Sequence, residues 1–131
     1  MRARKIALLL LIIAILLSGC AQNAAQSYQN ITAKDLQGML MNEKDFVLVD
    51  VREPYELEET GYIPGAVNIP VGQVEQKLNT LPKTGKLILY CRTGRRSAEV
   101  AKFLAGKGYP NVYNLEGGIV AWPYEKTQPK K

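Results

Sequence analysis

Residues 86–97 read Lys86-Leu87-Ile88-Leu89-Tyr90-Cys91-Arg92-Thr93-Gly94-Arg95-Arg96-Ser97. The first five form a short, mostly apolar run, which is typical of a strand covered on both faces. From residue 97 the apolar side chains recur at helical spacing, which predicts a helix over residues 97–107. A buried strand, a glycine-containing loop and a helix in direct succession predict that Cys91 lies at the carboxyl end of a parallel strand.

The flanking sequence continues the alternation of strands and helices. Apolar runs predict further strands at residues 46–51, 66–69 and 112–115. Helices are predicted over residues 33–41, with Thr32 as the N-cap, and then over 54–59 and 71–81. The predicted fold class is therefore α/β, with a small, mostly parallel sheet and helices on both faces.

The loop after Cys91 has the composition of an anion site. Gly94 permits a tight backbone that turns the amides of residues 92–96 inward, and Arg92, Arg95 and Arg96 add positive charge. Lowering a thiol pKa by two units takes about 2.7 kcal/mol, and a well-placed helix N-terminus supplies up to about 2 kcal/mol. We therefore expect the amides and at least one arginine to stabilise a thiolate. The alternative is a buried structural cysteine beside a solvated turn.

The chain has no histidine, which excludes Cys-His and Ser-His-Asp catalysis and histidine-ligated metals. A preformed thiolate needs no general base, so Cys91 remains a candidate nucleophile. Arg52 follows the strand at 46–51 and is a further candidate for binding an anion at the pocket mouth. Its alternative is an ion pair with Glu53 or Glu56, and Asp50 is expected to be structural.

Residues 90–97 resemble the active-site loop of the rhodanese family of sulfurtransferases. Three more stretches match that family in order: Asp50-Val51-Arg52-Glu53 with Tyr55-Glu56, Gly61-Tyr62-Ile63-Pro64-Gly65-Ala66-Val67-Asn68-Ile69-Pro70, and Leu115-Glu116-Gly117-Gly118-Ile119 to Trp122. The resemblance covers about residues 28–123. It implies one α/β domain, a persulfide on Cys91, and binding of the anionic donor by the loop residues Arg92, Thr93, Gly94, Arg95 and Arg96. No cofactor and no metal ion is expected.

The resemblance implies that sulfur passes from an anionic donor such as thiosulfate to cyanide or a thiol. A non-catalytic, membrane-tethered sulfur carrier or partner-binding module would use the same loop and is the main alternative. A phosphatase or arsenate reductase is a weaker alternative. Protein tyrosine phosphatases use a Cys-x5-Arg spacing, whereas Cys91 and Arg96 are spaced Cys-x4-Arg and Ser97 stands at the phosphatase arginine position.

The N-terminus has the pattern of a signal peptide over residues 1–19, with basic residues before an apolar run from Ile6 to Leu17. Leu17-Ser18-Gly19-Cys20 resembles a bacterial lipobox, which implies lipidation of Cys20. The predicted organisation is a signal peptide (1–19), a lipidated cysteine with a flexible tether (20–27), the domain (28–124) and a disordered tail (125–131). A plain signal peptide is the alternative. The expected location is extracytoplasmic, lipid-anchored to a bacterial membrane.

The charge and size of the chain limit its partners. The formal charge of +5 includes three leader cations, Arg2, Arg4 and Lys5, and falls to +2 without them. So small a charge gives no argument for nucleic-acid binding. The expected partners are a small anionic sulfur donor, a thiol or cyanide acceptor and the membrane, and the expected state is a monomer.

Overall fold

The computed structural model, which describes residues 27–130, contains one five-stranded sheet. Its strands are β1 (Gln29–Ile31), β2 (Phe46–Asp50), β3 (Val67–Asn68), β4 (Lys86–Tyr90) and β5 (Val112–Leu115). The strand order is β1-β5-β4-β2-β3, and all neighbouring strands are parallel. The predicted fold class is confirmed. Because β4 lies in the middle of the sheet, Cys91 leaves the sheet at its centre.

The strands are connected by helices α1 (Ala33–Asn42), α2 (Pro54–Thr60) and α3 (Arg95–Gly106). The prediction of a helix over residues 71–81 was wrong in type, because this segment forms two 3-10 helices at Val71–Gln73 and Glu75–Thr80. Gly72 and the β-branched Val71 and Val74 weaken the α-helical alternative. A further 3-10 turn follows β5 at Ile119–Ala121.

The core has two halves, one on each face of the sheet. Side chains alternate along β4, so Leu87 and Leu89 lie in the half that includes Leu104 of α3. Ile88 and Tyr90 lie in the other half, with Leu36 of α1. All these side chains are at most 2% exposed. The central strand is therefore fixed from both faces, which gives the residue after it a rigid position.

Strand β1 was not predicted from the sequence. It has only three residues, two of them exposed, so it shows no apolar run. It is nevertheless paired along its whole length with β5, from Gln29 with Tyr113 to Ile31 with Leu115. The predicted cap at Thr32 is confirmed, since its hydroxyl accepts from the Asp35 amide and the Asp35 carboxylate accepts from the Thr32 amide.

The C-terminal segment differs from the predicted disordered tail. Thr127 and Tyr62 form an antiparallel bridge with two backbone hydrogen bonds of 2.9 Å. Gly61 makes this approach possible, since a Cβ there would lie 2.8 Å from the Thr127 carbonyl oxygen. Residues up to 127 therefore pack on the domain, beyond the predicted boundary at 124.

The predicted signal peptide, the lipidated Cys20 and most of the tether lie outside the described residues. Within residues 27–130, no helix combines the length and the apolar composition needed to span a membrane. The membrane predictions for the N-terminus therefore stay predictions.

Candidate active site

Cys91 occupies the end of the central strand, directly before the turn that leads into α3. The residue is 1% exposed and packs in the half of the core that lies under α3. It is the free cysteine among residues 27–130. The position predicted for this thiol, at the carboxyl edge of the sheet and beside a helix N-terminus, is the position the structure shows.

Gly94 shapes the loop around the sulfur. It is the N-cap of α3 and has left-handed backbone angles, with φ +95°. A Cβ at this position would also lie 3.2 Å from the Leu115 carbonyl oxygen. Helix α3 begins at Arg95, two residues earlier than predicted, because this glycine starts the helix directly after the turn. The first turn of the helix therefore belongs to the site.

Several hydrogen-bond donors converge on the sulfur. The Gly94 amide donates to Cys91 Sγ at 3.2 Å, and the Ser97 hydroxyl lies 3.4 Å from the same atom. The amides of Ser97 and Thr93 also face it. Burial raises the pKa of the Cys91 thiol, but these hydrogen bonds outweigh burial, and the pKa lies below its ordinary value. The loop thus stabilises a sulfur anion with amides and a hydroxyl.

The loop arginines do not surround the sulfur as expected. Arg96 forms a two-point ion pair with Glu56 of α2, with N–O distances of 2.8 and 2.7 Å. This pairing raises the pKa of Arg96 and lowers that of Glu56. Arg95 points outward and pairs with Glu99 at 3.3 Å. The donors nearest Cys91 Sγ are the Gly94 amide and the Ser97 hydroxyl, but the charge of Arg96 also interacts with Cys91, so a contribution of this arginine to the thiolate stays a prediction.

Arg92 is an exposed cation of the loop. Its side chain makes no ion pair with a carboxylate in residues 27–130. It lines a pocket of about 110 Å³, whose other charged lining residues are Arg52, Lys126, Glu56 and Glu59. Thr93 is also exposed, so its contribution to the sulfur site comes from its backbone amide.

Arg52 is buried in an ion pair but also lines the pocket beside Arg92, so its predicted role in binding an anion stays a prediction. Its side chain is 1% exposed, and its nearest carboxylate is Asp50, at 2.7 Å. It also donates to the Gly61 carbonyl and the Thr60 hydroxyl, both at 2.8 Å. Burial opposes the charge of Arg52, but the hydrogen bonds and charge of Asp50 outweigh burial and raise its pKa. The guanidinium therefore holds α2 against the end of β2, as expected for a structural role of Asp50.

The segment after β5 forms the second wall of the loop. The Ile119 amide donates to the Cys91 carbonyl at 2.9 Å, and the Val120 amide donates to the Arg92 carbonyl at 3.1 Å. Gly118 has φ +61°, and a Cβ there would lie 2.6 Å from the Cys91 carbonyl oxygen. The glycine therefore allows the two segments to meet and fixes the loop backbone.

Two residues at the site were missed by the sequence reasoning. Ser97 was treated as the start of a helix and as a departure from the phosphatase pattern, yet its hydroxyl faces the sulfur. Asn114 of β5 lies behind it, with Oδ1 2.6 Å from Ser97 Oγ. The sequence could have indicated Ser97, since a hydroxyl in the first turn of a helix after an anion loop is placed to donate. No local pattern marks Asn114, because its contact comes from strand order.

These features define a class of protein: a small parallel α/β domain with a buried cysteine of lowered pKa in an amide-lined loop at a helix N-terminus. Comparison with known families agrees with this class. The family model described as rhodanese-like domain matches residues 32–125. The chain therefore belongs to the rhodanese-like domain family, and the predicted family is confirmed.

Individual relatives cover most of the domain. A sulfurtransferase from Allochromatium vinosum is 37% identical over 92 residues, which are 70% of this chain and 85% of the relative. The crystal structure of a rhodanese-like domain protein from Staphylococcus aureus has a TM-score of 0.71 and 35% identity, covering 79% of this chain and 99% of that one. A rhodanese-related protein from Thermoplasma volcanium has a TM-score of 0.64 and 36% identity, covering 72% and 90%.

Proposed function

We propose that this chain is a sulfurtransferase that carries sulfur as a persulfide on Cys91. The observation that carries the proposal is the buried Cys91 sulfur, which accepts from the Gly94 amide at 3.2 Å and has the Ser97 hydroxyl oxygen 3.4 Å away. Membership of the rhodanese-like family and the similarity to a named sulfurtransferase support the same reaction class. The proposed donor is an anion such as thiosulfate, and the proposed acceptor is cyanide or a thiol.

The first step forms the persulfide. The Cys91 thiolate attacks the outer sulfur of thiosulfate, a new S–S bond forms, and the bond to the sulfonate sulfur breaks. Sulfite leaves with the electron pair of that bond. The lowered pKa of Cys91 favours the thiolate as the attacking species, so the proposed step needs no histidine as a general base.

The second step releases the sulfur. Cyanide or a thiolate attacks the terminal sulfur of the persulfide, and the S–S bond breaks with its electron pair returning to Cys91. Thiocyanate or a new persulfide leaves, and the starting thiolate is restored. The amides of Thr93, Gly94 and Ser97 face Cys91 Sγ, which suits them to stabilise the thiolate that this step restores.

Arg92 is proposed to attract the donor. The Arg92 side chain is exposed and forms no ion pair with a carboxylate within residues 27–130. Arg95 and Arg96, by contrast, are already paired with glutamates. The positive charge of Arg92 is therefore suited to attract a dianion toward the loop. Replacing Arg92 by Ala is expected to raise the KM for thiosulfate more than it lowers kcat.

Turnover is tested by measuring thiocyanate release from thiosulfate and cyanide, with the full chain held in detergent. Wild type is expected to release thiocyanate over many turnovers, and Cys91→Ser is expected to release none. Cys20→Ser, which removes the other cysteine, is the matched control and retains turnover. Persulfide formation without thiocyanate release would instead identify a sulfur carrier, and absence of both would refute the proposal.

We also propose that residues 1–19 direct export and that Cys20 carries the lipid anchor, which places the domain outside the cytoplasm on a membrane. The support is the basic and apolar pattern of the leader and the sequence Leu17-Ser18-Gly19-Cys20. Cells fed labelled fatty acid are expected to incorporate label into wild type. Equal incorporation into Cys20→Ala would contradict the anchor.

A further inference from the structure

The Cys91 sulfur is connected to the edge of the sheet by three polar side chains in series. Ser97 Oγ lies 3.4 Å from Cys91 Sγ and 2.6 Å from Oδ1 of Asn114. Nδ2 of Asn114 donates to Oδ1 of Asn30 at 3.0 Å. Ser97 and Asn114 are buried, at 0% and 4% exposure, whereas Asn30 is exposed on the edge strand β1. None of the three connecting side chains is ionisable.

A hydroxyl group has a single proton, and this limits what Ser97 can do. Its short distance to Oδ1 of Asn114 places the proton on that axis. The lone pairs of Ser97 Oγ then face Cys91. This arrangement suits a protonated thiol, which can donate to the oxygen, and does not suit a thiolate.

Turning the Asn114 amide over gives the opposite arrangement. Nδ2 of Asn114 then donates to Ser97 Oγ, and the hydroxyl proton is free to point at the sulfur. Oδ1 of Asn114 now accepts from the Asn30 amide, which can turn because it is exposed. Amide nitrogen and oxygen are nearly equal in size, so both arrangements fit the same space.

We propose that Asn114 is a positioning residue whose amide orientation switches Ser97 from accepting the thiol proton to donating to the sulfur anion. The inference rests on the proposed function, because it concerns the ionisation of the same sulfur. The thiol proton leaves to water or a buffer base. Along the chain of side chains only rotations occur, and no bond to sulfur is made or broken.

Charged groups near the site come from three elements and the loop, and the test leaves all of them in place. They are Arg92 on the loop, Arg96 of α3 with its partner Glu56 of α2, and the Asp50–Arg52 pair at the end of β2. The side-chain hydrogen bonds of Ser97 and Asn114 within residues 27–130 go to Cys91, to each other and to Asn30.

The test fixes the orientation of the Asn114 amide by changing Asn30, its exposed hydrogen-bond partner. In Asn30→Asp the carboxylate can only accept, so it holds Nδ2 of Asn114 toward β1 and Oδ1 toward Ser97. The Cys91 pKa is expected to rise by about one unit, which slows alkylation by iodoacetamide at neutral pH by up to about tenfold. Gln29→Asp is the matched control, since it adds the same charge to the same strand with its side chain on the opposite face.

Repeating Asn30→Asp in a Ser97→Ala background distinguishes an effect through the Ser97 hydroxyl from simple charge repulsion. In Ser97→Ala the hydroxyl is gone, so adding Asn30→Asp is expected to change the pKa no further. An equal shift in both backgrounds, or equal effects of Asn30→Asp and Gln29→Asp, would overturn the proposal. The pKa of Cys91 is measured in the full chain without a sulfur donor. The result is therefore independent of whether the chain transfers sulfur.

Discussion

Removing the Ser97 hydroxyl tests how the site stabilises its anion. In Ser97→Ala the Cys91 sulfur loses a donor at 3.4 Å but keeps the Gly94 amide at 3.2 Å. The residue is completely buried, so no water replaces the hydroxyl without rearrangement. Burial, which raises the Cys91 pKa, is then opposed by amides alone.

The size of the effect follows from the energy of one hydrogen bond to an ion. Such bonds contribute about 1.5–3 kcal/mol, and the length of this one places it at the lower end. About 1.5 kcal/mol corresponds to about one pKa unit. The pKa of Cys91 is therefore expected to rise by about one unit, and the thiolate fraction at neutral pH is expected to fall by up to about tenfold.

The assay is the pH dependence of thiolate absorbance, checked by the rate of iodoacetamide alkylation. The midpoint in Ser97→Ala is expected to move to higher pH than in wild type. Thr93→Ala is the control, because it removes an exposed hydroxyl from the same loop and keeps the backbone amide that faces the sulfur. Equal midpoints for Ser97→Ala and wild type would refute the reasoning.

Three further predictions concern the supports of the loop. Gly118→Ala forces a Cβ against the loop carbonyls at a φ of +61°, and it is expected to lower the free energy of unfolding by about 2 kcal/mol or more in urea titration. Asp50→Asn leaves Arg52 as a buried, unpaired cation, and a loss of about 3–5 kcal/mol is expected in the same assay. Glu56→Gln weakens the contact with Arg96. As the pH falls from about 5 to about 3, the variant is expected to lose less stability than wild type loses, as measured by thermal unfolding.

The sign of the Glu56 effect follows from its pKa, which hydrogen bonding to Arg96 lowers. A lowered pKa stabilises the folded protein above the unfolded pKa, and this contribution is lost as pH falls through the folded value. The variant lacks the titrating group and so lacks this part of the acid dependence. An acid profile of Glu56→Gln that matches wild type would contradict the argument.

Matched variants separate these effects from general perturbation. Gly106→Ala adds a Cβ that has no neighbour within 4 Å, so no loss of stability is expected. Glu99→Gln removes an exposed ion pair with Arg95, and a change below about 0.5 kcal/mol is expected. Losses in these controls as large as those in Gly118→Ala or Asp50→Asn would contradict the roles assigned to those two residues.

The sequence predicted the elements that carry a local signal. The run Lys86–Tyr90 and the helix after it follow from apolar spacing, and Cys91 follows from their junction. Strand β1 was missed because its stability comes from pairing with β5, which no local pattern reports. The 3-10 conformation of residues 71–80 depends on weak local preferences, which the apolar spacing does not show.

The sequence predicted where the site lies but not which groups donate hydrogen bonds to the Cys91 sulfur. The basic composition of the loop suggested arginine stabilisation, yet Arg96 pairs with Glu56, which lies 40 residues away in sequence. The contact of Ser97 with Asn114 spans 17 residues and exists because β5 lies beside β4. Such partners are set by tertiary packing, so composition alone does not identify the groups that contact the sulfur.

The most direct measurement of the central claim is the mass of the Cys91 peptide after the full chain reacts with thiosulfate. We expect a gain of one sulfur atom on that peptide, with release of sulfite, and loss of the added sulfur as an equal amount of thiocyanate when cyanide is added. An unchanged mass of the Cys91 peptide, under conditions in which the same thiol is rapidly alkylated, would contradict that claim.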